Sequence, residues 1–363
     1  MNFIADKRYM SLALSLGKRG LGNVWPNPSV GCVLVKHDRI IGRGWTQPGG
    51  RPHAETMALR QAGVAAKNAT AYISLEPCVH QGETGPCADD LISAGIERCV
   101  VATTDVDPRV SGRGLEKLKS AGIIVSIGCM ETEAKLSHRG FFKKVLDGRP
   151  RVTLKVALSL DGRIGTQSGE SQWITGPLAR RDVHALRASH DAVLIGGGTA
   201  RADNPSLTVR GLGKSHQPVR IIASKGLNFS GEAIKSNRSH APLWLCHGAD
   251  ADNIDNWKKN SDKMLEVHNS VDGELDLFEM LQKLGAEGIT SILCEGGGAL
   301  GSSLIKAGLV DDLIVYSAGL VIGGDGLASL GELGLKKLGD GVRFSLIDQR
   351  TIGCDLRHHW RSN

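Results

Sequence analysis

His53-Ala54-Glu55, followed by Glu76-Pro77-Cys78-Val79-His80-Gln81-Gly82-Glu83-Thr84-Gly85-Pro86-Cys87, is the stretch on which the reading of this chain turns. One histidine and two cysteines, His53, Cys78 and Cys87, form a set that suits zinc with a fourth position open to water. Glu55 sits two residues past the histidine, where a carboxylate can handle protons at that open position. A closed site would need a fourth protein ligand, and His80 is the obvious candidate. It lies only two residues from Cys78, a tight spacing for joint chelation, so His80 is assigned to substrate contact instead.

Working outward, the apolar spacing of Tyr9, Leu12, Ala13 and Leu16 predicts an amphipathic helix over residues 5–20. Strands are expected at 30–35 and 39–42, joined by a turn at His37-Asp38, and a glycine-rich loop at 42–50 then leads to His53. His53 opens a helix through Arg60, 69–75 is a strand, and Pro86-Cys87 fits the first turn of another helix. Ligands near helix N-termini meet the positive end of the dipole, which favours thiolate over thiol. A strand at 99–102, a helix at 114–121, a strand at 123–127 and a helix around 136–146 continue the β-α alternation. Asp147-Gly148-Arg149-Pro150 reads as a turn-rich break, dividing the chain into domains 1–147 and 148–363. Beyond it a second α/β pattern places strands at 151–158, 192–195, 219–223, 243–246, 289–294 and 313–316. Helices are expected at 177–188, 275–284 and 299–307.

The 363 residues are enough for two domains, and 41% hydrophobic with 23% charged residues is the balance of a soluble globular protein. No run of about 18 apolar residues exists, which excludes a helical membrane span. The N-terminus lacks a basic-then-apolar signal, so a cytoplasmic location is expected. Eight cysteines then argue for metal binding or inert burial, with Cys32, Cys99, Cys129, Cys246, Cys294 and Cys354 mostly buried. A net charge of +6 fits anionic small molecules and could also fit nucleic acid. Aromatics are only 4% and no dense basic run interleaves with them, so no nucleic-acid partner is expected.

The His-x-Glu and paired-cysteine layout is that of the zinc base deaminases, in which the glutamate is the general acid/base. Together with Asn27-Pro28-Ser29-Val30-Gly31-Cys32-Val33 and Pro52-His53-Ala54-Glu55, the 76–87 segment closely resembles the bifunctional riboflavin-biosynthesis deaminase/reductases. The eight-residue gap between the cysteines is characteristic of that family. The resemblance implies a cytidine-deaminase-like α/β/α domain in which Asn27 binds the pyrimidine and Asp107 lines the same pocket. Thr46 and Arg109 depart from the family, which usually has histidine and asparagine there. Both bear on substrate recognition more than on the metal.

Read alone, the C-terminal half shows glycine turns at Asp161-Gly162, Gly196-Gly197-Gly198 and Gly296-Gly297-Gly298. Glycines after strands let backbone N–H groups approach phosphates. Neither glycine cluster matches G-x-G-x-x-G, so nucleotide binding and ordinary turns both stand on spacing alone. Lys155 to Ile164, Gly169 to Gly176, Asp203 to Arg210 and Glu295 to Gly298 are similar to the riboflavin-type reductases, with their dihydrofolate-reductase-like α/β fold. That resemblance implies NADPH contacts at Ala157, Trp173, Thr199, Asp203, Ser224, Gly297 and Gly298. It implies substrate contacts at Lys155, Ser171, Arg187, Leu207, Arg210 and Glu295. Arg187 and Arg210 are suited to pairing bidentately with a ribose phosphate, and Asp203 to assisting proton delivery.

The expectation is therefore an enzyme using one Zn2+ and NADPH on a phosphorylated ribosylaminopyrimidine. It would deaminate the ring and then reduce the ribosyl chain, and homo-oligomers (dimer or tetramer) are implied by the resemblance. Two rivals are a tRNA base deaminase, which gives residues 150–363 no role, and a sensor in which one or both domains bind ligand without turnover. The first domain of a sensor has no use for Glu55, while for the second domain binding and reduction both stand on the sequence.

Overall fold

The computed structural model describes residues 3–81, 85–213, 216–237 and 239–363, and the chain divides into two compact units, Met1–Gly148 and Arg149–Asn363. Residues 82–84 of the insert between the cysteines lie outside the described residues.

In the first unit α1 (Phe3–Gly17) precedes the hairpin β1 (Gly31–Lys36) and β2 (Arg39–Trp45), closed by His37 and Asp38 at positive φ. Then come α2 (Ala54–Ala62), β3 (Thr70–Ile73), α3 (Cys87–Ser93), β4 (Arg98–Val101), α4 (Arg113–Ser120), β5 (Ile124–Ile127) and α5 (Glu131–Asp147). The sheet order is β2-β1-β3-β4-β5, antiparallel in its first two pairings and parallel in the rest. Strand side chains alternate between two cores. Cys32, Leu34, Ala71, Ile73, Cys99 and Val101 pack with Ala54 and Ala58 of α2, Leu91 of α3 and Leu118 of α4. Val33, Val35, Tyr72 and Val100 pack with Tyr9, Met10 and Ala13 of α1. A sheet buried on both faces reads as continuous apolar strands, which is why these were legible.

The loop expected at 42–50 is strand in its first part, since β2 runs on to Trp45, and ends in a short 3-10 turn at Pro48–Gly50. A Cβ on Gly42 would lie 2.3 Å from the Ala58 carbonyl oxygen, and one on Gly44 2.1 Å from that of Ala54. These glycines let α2 lie directly on β2, a demand of packing and not of a turn.

The second unit opens with β6 (Arg151–Ser159), β7 (Arg163–Gly165), α6 (Pro177–Ala188), β8 (Ala192–Gly196) and α7 (Gly197–Asp203). It continues through β9 (Val219–Ala223), α8 (Glu232–Ser236), β10 (Leu243–His247), α9 (Ile254–Asn260), β11 (Lys263–Glu266) and α10 (Leu277–Ala286). The last elements are β12 (Ser291–Cys294), α11 (Gly298–Lys306), β13 (Asp312–Ala318), β14 (Leu327–Ala328), β15 (Phe344–Ile352) and β16 (Asp355–Ser362). The main sheet, β11-β10-β9-β8-β12-β6-β13-β16-β15, is parallel up to β13 and ends in an antiparallel pair, while β7 and β14 form a small ribbon. Val193, Ile195, Ile222, Leu243, Leu245 and Trp257 centre one core, and Ala179, Val183, Ile314 and Tyr316 another. Of the six non-ligand cysteines, Cys32, Cys99, Cys246 and Cys294 are buried; Cys129 is half-buried and Cys354 exposed, at the β15–β16 turn.

Candidate active site

Two helix starts and one strand end build the first site. His53 is the N-cap of α2 in extended conformation, and Cys87 is the first residue of α3. Pro86 stands one place earlier than the sequence pattern suggested, as the N-cap. Cys78 lies in the loop that leaves β3. His53 Nδ1 is 3.2 Å from Cys87 Sγ and 3.6 Å from Cys78 Sγ, and the ligand atoms all lie within 4.8 Å of one another. The Cys87 backbone N–H donates to Cys78 Sγ at 3.4 Å. Among the described residues no other His, Cys, Asp or Glu joins this group.

The electrostatics suit a cation. The Cys87 thiol, hydrogen-bonded to Cys78, draws that thiol down to about 4 against its burial, with His53 adding to the pull; Cys87 is correspondingly pushed up. Cys78 is thus held toward thiolate and His53 is pushed up by that partner, so a metal entering would displace the protons left on the cluster. Glu55 is 3% exposed, and burial raises its carboxyl to about 7 although His53 opposes the rise. A buried carboxyl held near neutrality can both accept and return a proton.

The expected pyrimidine contacts are held by short backbone tethers. Asn27 Nδ2 donates to the Gly50 carbonyl at 3.0 Å. Thr46, one of the two departures, is buried: its Oγ1 accepts from Val30 N at 2.9 Å and donates to Pro28 O at 3.1 Å, stitching the segment that follows Asn27. Arg109, the other, grips Asp107 through Nε at 3.0 Å and Nη2 at 2.5 Å while its side chain stays 70% exposed. His80 Nδ1 is buried without a hydrogen-bond partner among the described residues. Glu76, given no role by sequence reasoning, is buried and accepts four backbone N–H groups. Its one signal was a carboxylate placed directly before Pro77-Cys78 in an otherwise apolar strand end.

In the second unit the neighbouring parallel strands β8 and β12 each end in a glycine turn that opens a helix, α7 and α11. Thr199 Oγ1 accepts from Gly297 N at 3.0 Å and ties the two turns together. Ser224 lies just past β9, so close that a Cβ on Gly197 would meet its Oγ at 2.6 Å. Asp203 ends α7, exposed. Ala157 and Lys155 lie on β6, next to β12.

Beside these turns is a charge cluster. Arg187 Nε and Nη2 reach Glu295 at 2.5 and 3.0 Å, and Nη1 donates to the Thr208 carbonyl at 2.9 Å. Burial raises the Glu295 carboxyl, but Arg187 and then Lys155 outweigh it, and the net shift is downward. Lys155 is pushed down by burial, with Glu295 opposing. His184, which sequence reasoning passed over, accepts the Arg210 backbone N–H at 3.3 Å.

Three expected contacts change character. The Arg187 fork is occupied by Glu295, which leaves exposed Arg210 as the guanidinium open to a phosphate. Leu207 is 2% exposed with φ +56, its side chain in the core, so any ligand contact there is through backbone. Trp173 is 66% exposed, with the Arg180 guanidinium 4.5 Å from its ring centroid, which rules out core packing. Ser171 is half-buried on the same segment between β7 and α6.

Residues 4–103 match the family model for the cytidine and deoxycytidylate deaminase zinc-binding region, and residues 150–357 that for the RibD C-terminal domain. The chain is 42% identical over 366 residues to the riboflavin biosynthesis protein RibD of Escherichia coli K12, covering 98% of each. It is 40% identical to the RibD of Aquifex aeolicus, covering 97% of each. Among solved structures, Acinetobacter baumannii RibD superposes with a TM-score of 0.90 at 36% identity. A Thermotoga maritima diaminohydroxyphosphoribosylaminopyrimidine deaminase/5-amino-6-(5-phosphoribosylamino)uracil reductase gives 0.88 at 33%, both covering 100% of each chain.

Proposed function

The chain belongs to the riboflavin-biosynthesis RibD family, a deaminase joined to a reductase, and from that premise we propose which residues do the work and on what. The substrate is 2,5-diamino-6-(5-phosphoribosylamino)pyrimidin-4(3H)-one. The first unit removes its 2-amino group as ammonia, and the second reduces the ribosyl chain of the resulting uracil to ribityl with NADPH.

The observation that carries the first half is the convergence of His53, Cys78 and Cys87 beside the buried carboxyl of Glu55. An imidazole and two sulfurs fit zinc and leave a position open. Bound there, zinc would supply the Lewis acidity that brings the ionisation of water to about pH 7. Glu55 takes up a proton at its carboxyl and returns it to the departing amino group. Asn27 and Asp107 orient the pyrimidine, and His80, with an unpartnered Nδ1, donates to or accepts from it.

In the second unit the paired glycine turns and helix starts fit the phosphates of a dinucleotide. Thr199, Ser224, Gly297 and Gly298 would hold NADPH, with Ala157, Trp173 and Asp203 around it. The cofactor supplies the hydride. Lys155, Ser171, Arg210, Glu295 and the Leu207 backbone receive the ribosyl phosphate, and Arg187 holds Glu295 in place. Homo-oligomers are part of this reading.

The test is to give the full-length protein the diamino ribotide with NADPH and follow ammonia release and cofactor absorbance together. Ammonia first and NADPH loss second, both stopped by a chelator, is the expected result. NADPH loss that a chelator leaves untouched, with no ammonia, would overturn the order and the substrate.

A further inference from the structure

Glu76 lies two residues before the ligand Cys78 and is 3% exposed. Its backbone N–H donates to the Thr103 carbonyl at 3.0 Å. Its carboxylate reaches across to the segment that joins β4 to α4. Oε2 accepts from Asp105 N at 3.2 Å and Gly112 N at 3.0 Å, and Oε1 from Gly114 N at 2.9 Å and Leu115 N at 3.4 Å. Gly112, the N-cap of α4, has no capping side chain of its own, so Glu76 satisfies that helix end from 36 residues away. The relay goes on: Asp105 Oδ1 accepts from Asp107 N at 2.9 Å, and Asp107 is gripped by Arg109. Contact at the other end is as close, because a Cβ on Gly114 would sit 2.2 Å from the Pro77 carbonyl oxygen and 3.1 Å from Glu76 Oε1.

We propose that Glu76 is a positioning residue of the deaminase, one carboxylate that locks the metal-ligand loop at Cys78 to the segment presenting Asp107. The inference rests on the reading of Asp107 as a pocket residue. A carboxylate has lone pairs for all four donors and needs no proton of its own. An isosteric amide keeps one oxygen and turns an NH2 toward the donors of the other pair, so two N–H groups lose their acceptor. The ligand loop retains its own residues. What loosens is the distance between metal and ring-binding segment, which is felt when substrate binds.

The experiment compares full-length Glu76→Gln with the unaltered protein by zinc content, deaminase KM and kcat. Reductase turnover on the deaminated intermediate serves as the standard for intact chain. Expected is a KM raised at least about tenfold with kcat within about threefold and zinc still bound, since one buried N–H left without an acceptor already costs about tenfold and two are left here. Zinc-loaded Glu76→Gln with unchanged KM overturns the proposal and leaves Glu76 a helix cap alone. Should Glu76→Gln not load zinc, Gly114→Ala decides. It wedges the same contact without touching a charge and should raise KM; an unchanged KM overturns the proposal. Asp107→Ala separates the two readings: no rise in KM there removes Asp107 from the pocket, whatever Glu76 does.

Discussion

The two units build their sites in opposite ways. In the first, three ligands and the proton carrier come from 35 residues, and the fold adds only two helix starts and the loop after a strand to bring the three ligands within 4.8 Å of one another. In the second, the cluster draws Lys155 from β6, Arg187 from α6 and Glu295 from the end of β12, with 108 residues between the two ion-pair partners. A metal site is dictated by a donor set, and a donor set is short. A cofactor cradle is dictated by where parallel strands end, and that is decided by strand order.

The sharpest way to break this comparison is at Glu55. If proton transfer runs through that buried carboxyl, Glu55→Gln lowers deamination by roughly 10²- to 10⁴-fold. Zinc content and reductase turnover on the deaminated intermediate stay unchanged. Deamination within about tenfold of the original would place the proton transfer on another group.

In the second unit the corresponding stroke is Arg187→Ala. It leaves the Glu295 carboxylate with Lys155 and, more weakly, His184 for compensation, and both members of the pair are nearly buried. Breaking such a pair costs about 3–5 kcal/mol, read as a lower denaturant midpoint for this unit. Replacing both Arg187 and Glu295 by apolar residues of similar volume should recover most of the stability and none of the reductase activity. Recovery of activity as well would make the pair scaffolding and remove Glu295 from the substrate site.

These sites also show why some residues were legible and others not. His53, Cys78 and Cys87 could be read because zinc chemistry restricts residue type and spacing together. The inner strands of the two large sheets could be read because burial on two faces leaves runs such as Val33-Leu34-Val35 and Val193-Leu194-Ile195. Glu76 could not, because its partners are backbone N–H groups, which carry no sequence signature. Gly42 and Gly44 were misread as loop because glycine marks a turn and a close helix–strand contact alike. The hairpin β15–β16 escaped because every residue of β15 is exposed or half-buried and the strand shows no buried alternation. Short α7 escaped because it begins Gly197-Gly198.

A third prediction separates the units by pH. His138 on α5 is buried, its Nε2 3.1 Å from the Ser74 carbonyl oxygen, and burial lowers its pKa to about 4. Below its ordinary 6.5 the unfolded chain takes up a proton that the folded chain refuses until pH 4. Stability is therefore untouched above about pH 6.5 and falls by about 3 kcal/mol as pH drops to about 4. Amide exchange in peptides of residues 3–148 should show this loss, and His138→Asn should flatten it relative to the unaltered chain. An identical pH slope in both proteins would remove His138 as the cause.

The smallest expected effect is at Trp173, and it tests whether the dispersed site has a part with no share in the fold. The ring is mostly in solvent and its neighbour is the Arg180 guanidinium. An exposed cation–π contact contributes about 0.5–1 kcal/mol at most, so Trp173→Ala should shift the unfolding free energy by no more than about that much. If the ring packs against the nicotinamide cofactor, the same substitution raises the KM for NADPH several-fold while deamination in the first unit is unchanged. Equilibrium titration with NADPH, free of turnover, measures this directly. Unchanged affinity would assign Trp173 to holding Arg180 and leave the cradle to Thr199, Ser224 and the glycine turns. A large stability loss would instead mean that the segment between β7 and α6 is structural despite its exposure.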